Sequence, residues 1–186
     1  MKKSVLFTCL AVLFFLSGLG MAEDCPKANK ISKMISGSKS FKAVQPLDFS
    51  KIVSAGAYSN KKGTKLQVCL SNGNFKIADM ANNFVLPIKK KNEFIAVINF
   101  TNASKPIVAG EYSAAAGYEK PFWASAAAKV HKGEKGVVVS LGVVEGTATI
   151  IKMTKDSVCG RFDLKNKKGD NAISGEFNVK IEKSRW

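Results

Sequence analysis

Two stretches near the C-terminus repeat one eight-residue pattern, and this repeat constrains the fold more than any other feature. Residues 158–165 read VCGRFDLK and residues 173–180 read ISGEFNVK. Each stretch has a β-branched residue, a small residue, glycine, a charged residue, phenylalanine, Asp or Asn, an aliphatic residue and lysine, in that order. The segment between them, 166–171 (NKKGDN), is polar and contains a glycine. The repeat therefore predicts an antiparallel β-hairpin.

One register of this hairpin satisfies its apolar, glycine and charged positions together. Starting from Lys165 opposite Ala172, the opposed pairs are Leu164 with Ile173, Phe162 with Gly175, Gly160 with Phe177, Val158 with Val179, and Arg161 with Glu176. Each glycine is then covered by a phenylalanine ring from the partner strand, which stabilises glycine in a sheet. A slip by one residue would turn the apolar set to the other face. We interpret the repeat as a structural solution and not as a binding site.

Short apolar or alternating runs, separated by turn signals, occupy the chain from about residue 41. The runs before the repeat cover residues 65–70, 75–78, 84–88, 93–100, 107–113, 122–130, 136–141 and 147–153. Many short strands without helix–strand alternation predict an all-β fold, as an antiparallel β-sandwich or a partly closed barrel that ends in the C-terminal hairpin. The run at 93–100 is apolar on both faces and is predicted to be a central strand.

The first 22 residues have the composition of a secretory signal peptide. Lys2 and Lys3 precede an apolar run from Val5 to Leu16, which is too short to span a bilayer, and small residues follow at Gly20 and Ala22. We expect cleavage near Ala22 and a periplasmic or secreted protein, with no transmembrane segment in the mature chain.

The mature chain is predicted to have a polar N-terminal segment followed by one domain. In residues 23–40, the apolar side chains of Ile31, Met34 and Ile35 have helical spacing, so this segment is expected to be a tail or a short helix. Residues 41–186 are expected to form a single β-sandwich domain.

Lysine dominates the charge of the chain. The sequence contains 29 Lys and Arg against 14 Asp and Glu, and removal of Lys2 and Lys3 leaves a surplus of 13 (27 minus 14). Only Arg161 and Arg185 are arginines, whereas nucleic-acid and phosphate sites favour the planar fork of arginine. We therefore expect no nucleic-acid partner. Anionic components of the envelope or glycans fit the charge, and the alternative is that the lysines are solvated side chains on turns.

Three cysteines follow the signal peptide, Cys25, Cys69 and Cys159. An oxidising compartment favours one disulfide and one remaining thiol. Cys69 and Cys159 both point away from the apolar face of their strands, so a Cys69–Cys159 bond is preferred if those strands are neighbours. Cys25 is then left over, with a bond to either of the others or to a second molecule as the alternative.

The sequence contains no motif for catalysis or metal binding. Its one histidine, His131, stands among lysines without a neighbouring carboxylate to orient it. A Gly-x-Ser-x-Gly elbow, a Cys-x-x-Cys pair and an Asp-rich calcium loop are all lacking. We predict no catalytic residues, no metal and no cofactor. A hydrolase that uses dispersed carboxylates is the less favoured alternative.

Residues 111–130 contain the one stretch with the character of a ligand surface. Tyr112, Tyr118 and Trp123 occur there together with Lys120. An indole beside a lysine can stack on a sugar or hold an apolar ligand, although Trp123 can equally cover the sheet edge or fill the core. We predict an exported, non-catalytic protein with a structural or binding role in the bacterial cell envelope. The alternative is a small-molecule or glycan binding module built around Trp123.

Overall fold

The computed structural model describes residues 23–42, 47–76, 88, 90, 92–114, 122–132 and 135–183. The strands within these ranges are β1 (Lys30–Ile35), β2 (Ser54–Ser59), β3 (Lys65–Ser71), β4 (Phe94–Asn102), β5 (Gly110–Ser113), β6 (Phe122–Lys132), β7 (Lys135–Ser140), β8 (Glu145–Met153), β9 (Ser157–Lys165) and β10 (Ala172–Lys183), and the helix is α1 (Lys39–Lys42). The predicted all-β fold is confirmed. The predicted signal peptide lies outside the described residues, as does most of the predicted strand at 84–88. In the run 75–78, Phe75 and Lys76 are described and lie outside strands.

The strands form one curled, mixed sheet in the order β5-β8-β9-β10-β2-β3-β4-β6-β7, with β1 paired to β10. Strands β10 and β2 pair in parallel, while the other strand pairs of the described chain are antiparallel. The sheet forms a half-barrel and corrects the prediction of a clean antiparallel sandwich. The reason is the length of β10, whose first half pairs with β1 and whose last residues pair with β2. One strand thereby joins what would otherwise be two sheets.

The C-terminal hairpin has the register that its sequence predicts. Phe162 lies opposite Gly175, and Gly160 lies opposite Phe177. Arg161 lies opposite Glu176 in the same ladder. The two phenylalanine rings stack with their centroids 6.4 Å apart. The predicted central strand is also confirmed, because β4 lies between β3 and β6 and both of its faces are buried over most of its length.

The main hydrophobic core fills the inside of the curl. Phe100 on β4 contacts Tyr112 on β5 edge-on, with ring centroids 5.2 Å apart, and Phe177 on β10 at 6.0 Å. Three strands that are distant in the sheet order therefore meet at one ring. The inward residues of β6 are alanines at 124, 126 and 128, all buried, and their small size allows the opposite wall of the curl to approach closely.

One end of this core is covered by the segments 36–42 and 47–53. Phe41 on α1 and Leu47 are buried in the core cluster, and α1 packs against β6 and β7. Phe49 meets Phe94 edge-on at 5.2 Å. Phe94 begins β4, so these side chains close the end of the half-barrel at which β4 starts.

Residues 30–35 form a strand, which corrects the predicted tail or short helix. Ile31 and Met34 are buried, and a register shift between Ile31 and Lys33 brings both to the same face of β1. A strand with a bulge thus produces the apolar spacing that is typical of a helix. This segment pairs with the first half of β10. The pairing gives hydrogen-bond partners to the backbone N–H and carbonyl groups of both strands.

The disulfide joins Cys25 to Cys159, which corrects the predicted Cys69–Cys159 bond. In the sheet order, β10 and β2 separate β9 from β3, so Cys159 and Cys69 are not on neighbouring strands. Residues 23–29, here called the N-terminal strap, instead cross the outer face of β9 and β10. Within the strap, Glu23 forms an ion pair with Arg161. Asn178, which lies opposite Cys159 in the ladder, donates its side-chain N–H to the Pro26 carbonyl at 3.0 Å.

Two turns share the sequence Asn-Lys-Lys-Gly and also share their hydrogen bonds. Asn60–Gly63 follows β2, and Asn166–Gly169 precedes β10. In both turns the glycine has φ of 69° and its N–H donates to the asparagine carbonyl, at 2.9 and 3.0 Å. In both, the asparagine side-chain oxygen accepts the N–H five residues on, at 3.1 and 3.2 Å. Because β2 and β10 run parallel, the two turns lie at opposite ends of the sheet.

Candidate functional site

A cavity of about 520 Å³ opens beside the loop that connects β4 to β5. Its described lining consists of Asn102, Lys105, Pro106, Val108, Ala109, Gly110, Glu111 and Tyr112. The walls are mostly apolar, and the volume falls within the roughly 300–1,000 Å³ that is usual for small-molecule sites. The cavity lies at the end of the half-barrel opposite to the one that Phe41 and Phe49 close, because it begins where β4 ends.

Backbone hydrogen bonds hold the loop around the cavity in place. The Ile107 N–H donates to the Gly63 carbonyl at 2.7 Å, and the Asn102 N–H donates to the Thr64 carbonyl at 2.9 Å. The side-chain oxygen of Asn102 accepts the N–H of Lys105 at 3.1 Å. These bonds tie the loop to the turn after β2, so the cavity is formed before any ligand enters.

Tyr112 forms a wall of the cavity and fixes the loop at its other end. Its ring packs on Phe100, and the side chain is only 3% exposed. Its hydroxyl accepts the Val108 N–H at 3.1 Å and donates to the Val108 carbonyl at 2.9 Å. Burial raises the pKa of Tyr112, which keeps this hydroxyl protonated as a donor. Tyr112 therefore supports the site rather than offering the open stacking surface that the sequence suggested.

Val108 is the most exposed of the large apolar side chains in the described chain, at 61%. It lines the cavity, and its backbone N–H and carbonyl form the bonds to the Tyr112 hydroxyl. Sequence reasoning missed Val108, because it read residues 107–113 as one strand. The strand begins only at Gly110, whose φ of 145° departs from regular strand geometry. This glycine inside the apolar run is the signal of the irregularity, since glycine within a strand pattern often marks a break.

Among the other predicted ligand residues, Trp123 lies within the described chain. Trp123 is half-buried on β6 and lies opposite Thr101 of β4. The next pair of the same ladder joins Phe122 to Asn102, which lines the cavity. Trp123 therefore lies near the cavity in the ladder, on the outer side of the sheet. Tyr118 and Lys120 lie outside the described residues.

A second, polar groove of about 200 Å³ crosses the outer face of β8, β9, β10 and β1. Its lining comprises Ser32, Thr147, Thr149, Arg161, Phe162, Asp163, Gly175 and Glu176. Arg161, whose guanidinium lines this groove, forms an ion pair with Glu23 of the N-terminal strap. Since the groove is small and its cation already has a carboxylate, the 520 Å³ cavity is the stronger candidate site.

Two buried polar side chains, Lys129 and His131, lie on the outer face of β6. Burial lowers the pKa of Lys129. The Nδ1 atom of His131 has no hydrogen-bond partner in the described part of the chain. Within the same ranges, His, Cys, Asp and Glu do not form a group of three or more that would suit a metal ion. The described portion also contains no helix with the length and apolarity needed to cross a membrane.

Comparisons of the chain with protein-family models, with curated proteins and with solved structures found no match. The site is therefore characterised by its own geometry: a preformed, mostly apolar cavity with Lys105 and Glu111 in its lining and an exposed valine at its mouth.

Proposed function

We propose that this chain is an exported, non-catalytic protein of the bacterial cell envelope that binds a small, largely apolar ligand in the cavity beside Val108. The cavity of about 520 Å³ is the observation that carries the proposal. Export is supported by the character of residues 1–22 and by the Cys25–Cys159 disulfide, since disulfides persist in oxidising compartments.

An apolar ligand suits this cavity because a ligand would remove exposed apolar surface from water. Val108 and Ala109 stand at the surface of the described chain, beside the aromatic wall of Tyr112. The loop is already held by bonds to Gly63 and Tyr112, so that binding orders little additional backbone. The glycan alternative, built around Trp123, has less support, because the Tyr112 ring is buried against Phe100 while Trp123 lies on the outer side of the sheet. The two rings therefore do not form one stacking surface.

A carboxylate placed at Val108 tests the proposal. Binding of the neutral fluorescent probe N-phenyl-1-naphthylamine is measured for the unmodified protein and for Val108→Asp. We expect the substitution to weaken binding by about tenfold or more, because the charge must be desolvated against the ligand.

Val53→Asp and Val138→Asp are the matched controls. These two valines are also exposed, at 46% and 41%, and neither lines the cavity. Both controls should bind the probe as the unmodified protein does. Equal binding by all four proteins, or an absence of binding to the unmodified protein, would show that the cavity is not a ligand site.

A further inference from the structure

We propose that the ligand is a single-chain amphiphile with an anionic head group, whose chain occupies the cavity and whose head lies among Lys61, Lys62 and Lys105. This inference rests on the proposed function and adds the chemistry of the head group. Its occupant is one bound molecule and not a membrane surface.

The apolar cavity has a cation, Lys105, and a carboxylate, Glu111, in its described lining. Lys105 lines the cavity, and its side chain is exposed. The loop around Lys105 is fixed, because the Lys105 N–H donates to the Asn102 side chain at 3.1 Å. An apolar chain in the cavity beside Val108 can therefore place its polar end beside the ammonium group of Lys105.

The turn Asn60–Gly63 lies against the same loop. The Gly63 carbonyl accepts the Ile107 N–H at 2.7 Å. A Cβ atom built on Gly63 would stand 3.5 Å from the Cβ atom of Pro106, which lines the cavity. The exposed side chains of Lys61 and Lys62 are carried by this turn, so two more ammonium groups lie next to the loop that forms the cavity.

Lysines outnumber carboxylates at this end of the half-barrel. The segments 60–65 and 102–111 are hydrogen-bonded to each other there. The segment 152–156 lies at the same end, because it follows the part of β8 that pairs with the start of β5. Together they hold six lysines and two carboxylates, the latter from Glu111 and Asp156. The surplus attracts an anion. Lysine acts as a point charge and imposes no bidentate geometry, which suits a carboxylate, sulfate or phosphate head.

Three ligands with the same twelve-carbon chain isolate the contribution of the head. Dodecanoate, dodecanol and dodecylammonium are titrated by calorimetry, below the micelle-forming concentrations of the two charged ligands and below the solubility limit of dodecanol. We expect dodecanoate to bind most tightly and dodecylammonium least tightly. The advantage of dodecanoate over dodecanol should shrink as salt is added, because the head and the lysines are exposed to solvent.

The duplicated turn provides a matched control for the lysines. Lys61→Gln with Lys62→Gln removes two charges beside the cavity, and Lys167→Gln with Lys168→Gln removes two from the equivalent turn at the opposite end. The first pair should weaken dodecanoate binding by about threefold to tenfold and leave dodecanol unchanged. The second pair should leave both affinities within about twofold. Lys105→Gln should act as the first pair does.

The possible outcomes separate the inference from the proposed function. Equal affinity for dodecanoate and dodecanol, with both lost in Val108→Asp, overturns the anionic head and leaves the apolar site standing. Failure of all three ligands overturns both. Dodecanoate binding that survives Val108→Asp overturns the inference, because the head would then bind without the cavity. Binding to phosphatidylglycerol vesicles without binding to dodecanoate would place a membrane surface, and not a single molecule, at these lysines.

Discussion

The ring of Phe177 lies against Gly160 on the neighbouring strand, with its Cζ atom 2.7 Å from the point that a Cβ atom on Gly160 would occupy. The partner relationship has the same form, since Phe162 Cζ is 2.8 Å from the corresponding point on Gly175. Backbone carbonyl oxygens also crowd both points and cannot rotate aside as a side chain can. Glycine is therefore required at both positions of the hairpin.

Replacing either glycine with alanine should destabilise the protein. We expect Gly160→Ala and Gly175→Ala each to lower the free energy of unfolding by about 2–3 kcal/mol, because the added methyl displaces both a ring and a strand. Urea unfolding measures this change. The control is Gly37→Ala, where the nearest atom is the Oδ2 of the exposed Asp170 side chain at 3.0 Å, and we expect a loss under about 0.5 kcal/mol there. Similar losses at all three positions would contradict the packing described.

The two Asn-Lys-Lys-Gly turns should contribute equally to stability. Asn60→Ala and Asn166→Ala each remove two hydrogen bonds. In one, the asparagine side-chain oxygen accepts a backbone N–H; in the other, the asparagine side-chain N–H donates to a neighbouring side chain. We expect each to cost about 1–2 kcal/mol. Because the turns lie at opposite ends of the sheet, the double variant should cost the sum of the two within about 0.5 kcal/mol. A large effect of one substitution beside a negligible effect of the other would show that the turns are not equivalent.

The disulfide should be detected between Cys25 and Cys159, and its loss should be costly. Non-reducing peptide mapping identifies the bonded pair, and a peptide linked through Cys69 would refute the structure at this point. The bond closes a loop with a sequence separation of 134. Chain-entropy estimates for loops of this length predict a loss of about 5 kcal/mol in the variant Cys25→Ala with Cys159→Ala. Cys69→Ala is the control, and it should leave the disulfide in place.

The buried thiol of Cys69 should make stability fall at alkaline pH. Burial raises the pKa of Cys69 from its ordinary value of 9.0 to about 12. The folded state then retains a proton that the unfolded state releases, so stability is complete below pH 9 and declines as the pH rises towards 12. Urea unfolding at about pH 8 and about pH 10.5 compares the protein with Cys69→Ala. From the lower to the higher pH, the unmodified protein should lose more stability than Cys69→Ala does. Equal losses in the two proteins would contradict the burial of the Cys69 thiol.

The sequence predicted the C-terminal hairpin to the residue because the information needed is local. The repeat places each glycine opposite a phenylalanine across a loop of six residues, so one short segment specifies its own register. The continuous apolar run of β4 and the alternation in β6 likewise depend only on neighbouring residues. These elements needed no knowledge of distant parts of the chain.

The sequence did not predict the features that depend on distant pairing. β1 forms because β10 offers it an edge, and the bulge between Ile31 and Lys33 gives a strand the apolar spacing of a helix. The position of Cys25 follows from that pairing, which brings the N-terminal strap across β9. The cavity depends on contacts between the loop at Ile107 and the turn at Gly63, which are far apart in the sequence. The pattern of apolar and polar residues in 102–112 does not predict that this loop contacts the turn at Gly63.

Nuclear magnetic resonance with the neutral probe shows whether the cavity beside Val108 binds a ligand. The amide resonances of isotopically labelled protein are followed as N-phenyl-1-naphthylamine is added, since an aromatic ligand shifts the signals of the groups that it contacts. If the cavity is the ligand site, the largest shifts belong to Val108, Ala109, Gly110 and Tyr112. The proposed site is contradicted if the resonances of these residues stay in place while those of the polar groove at Thr147 and Thr149 move, or if no resonance moves at all.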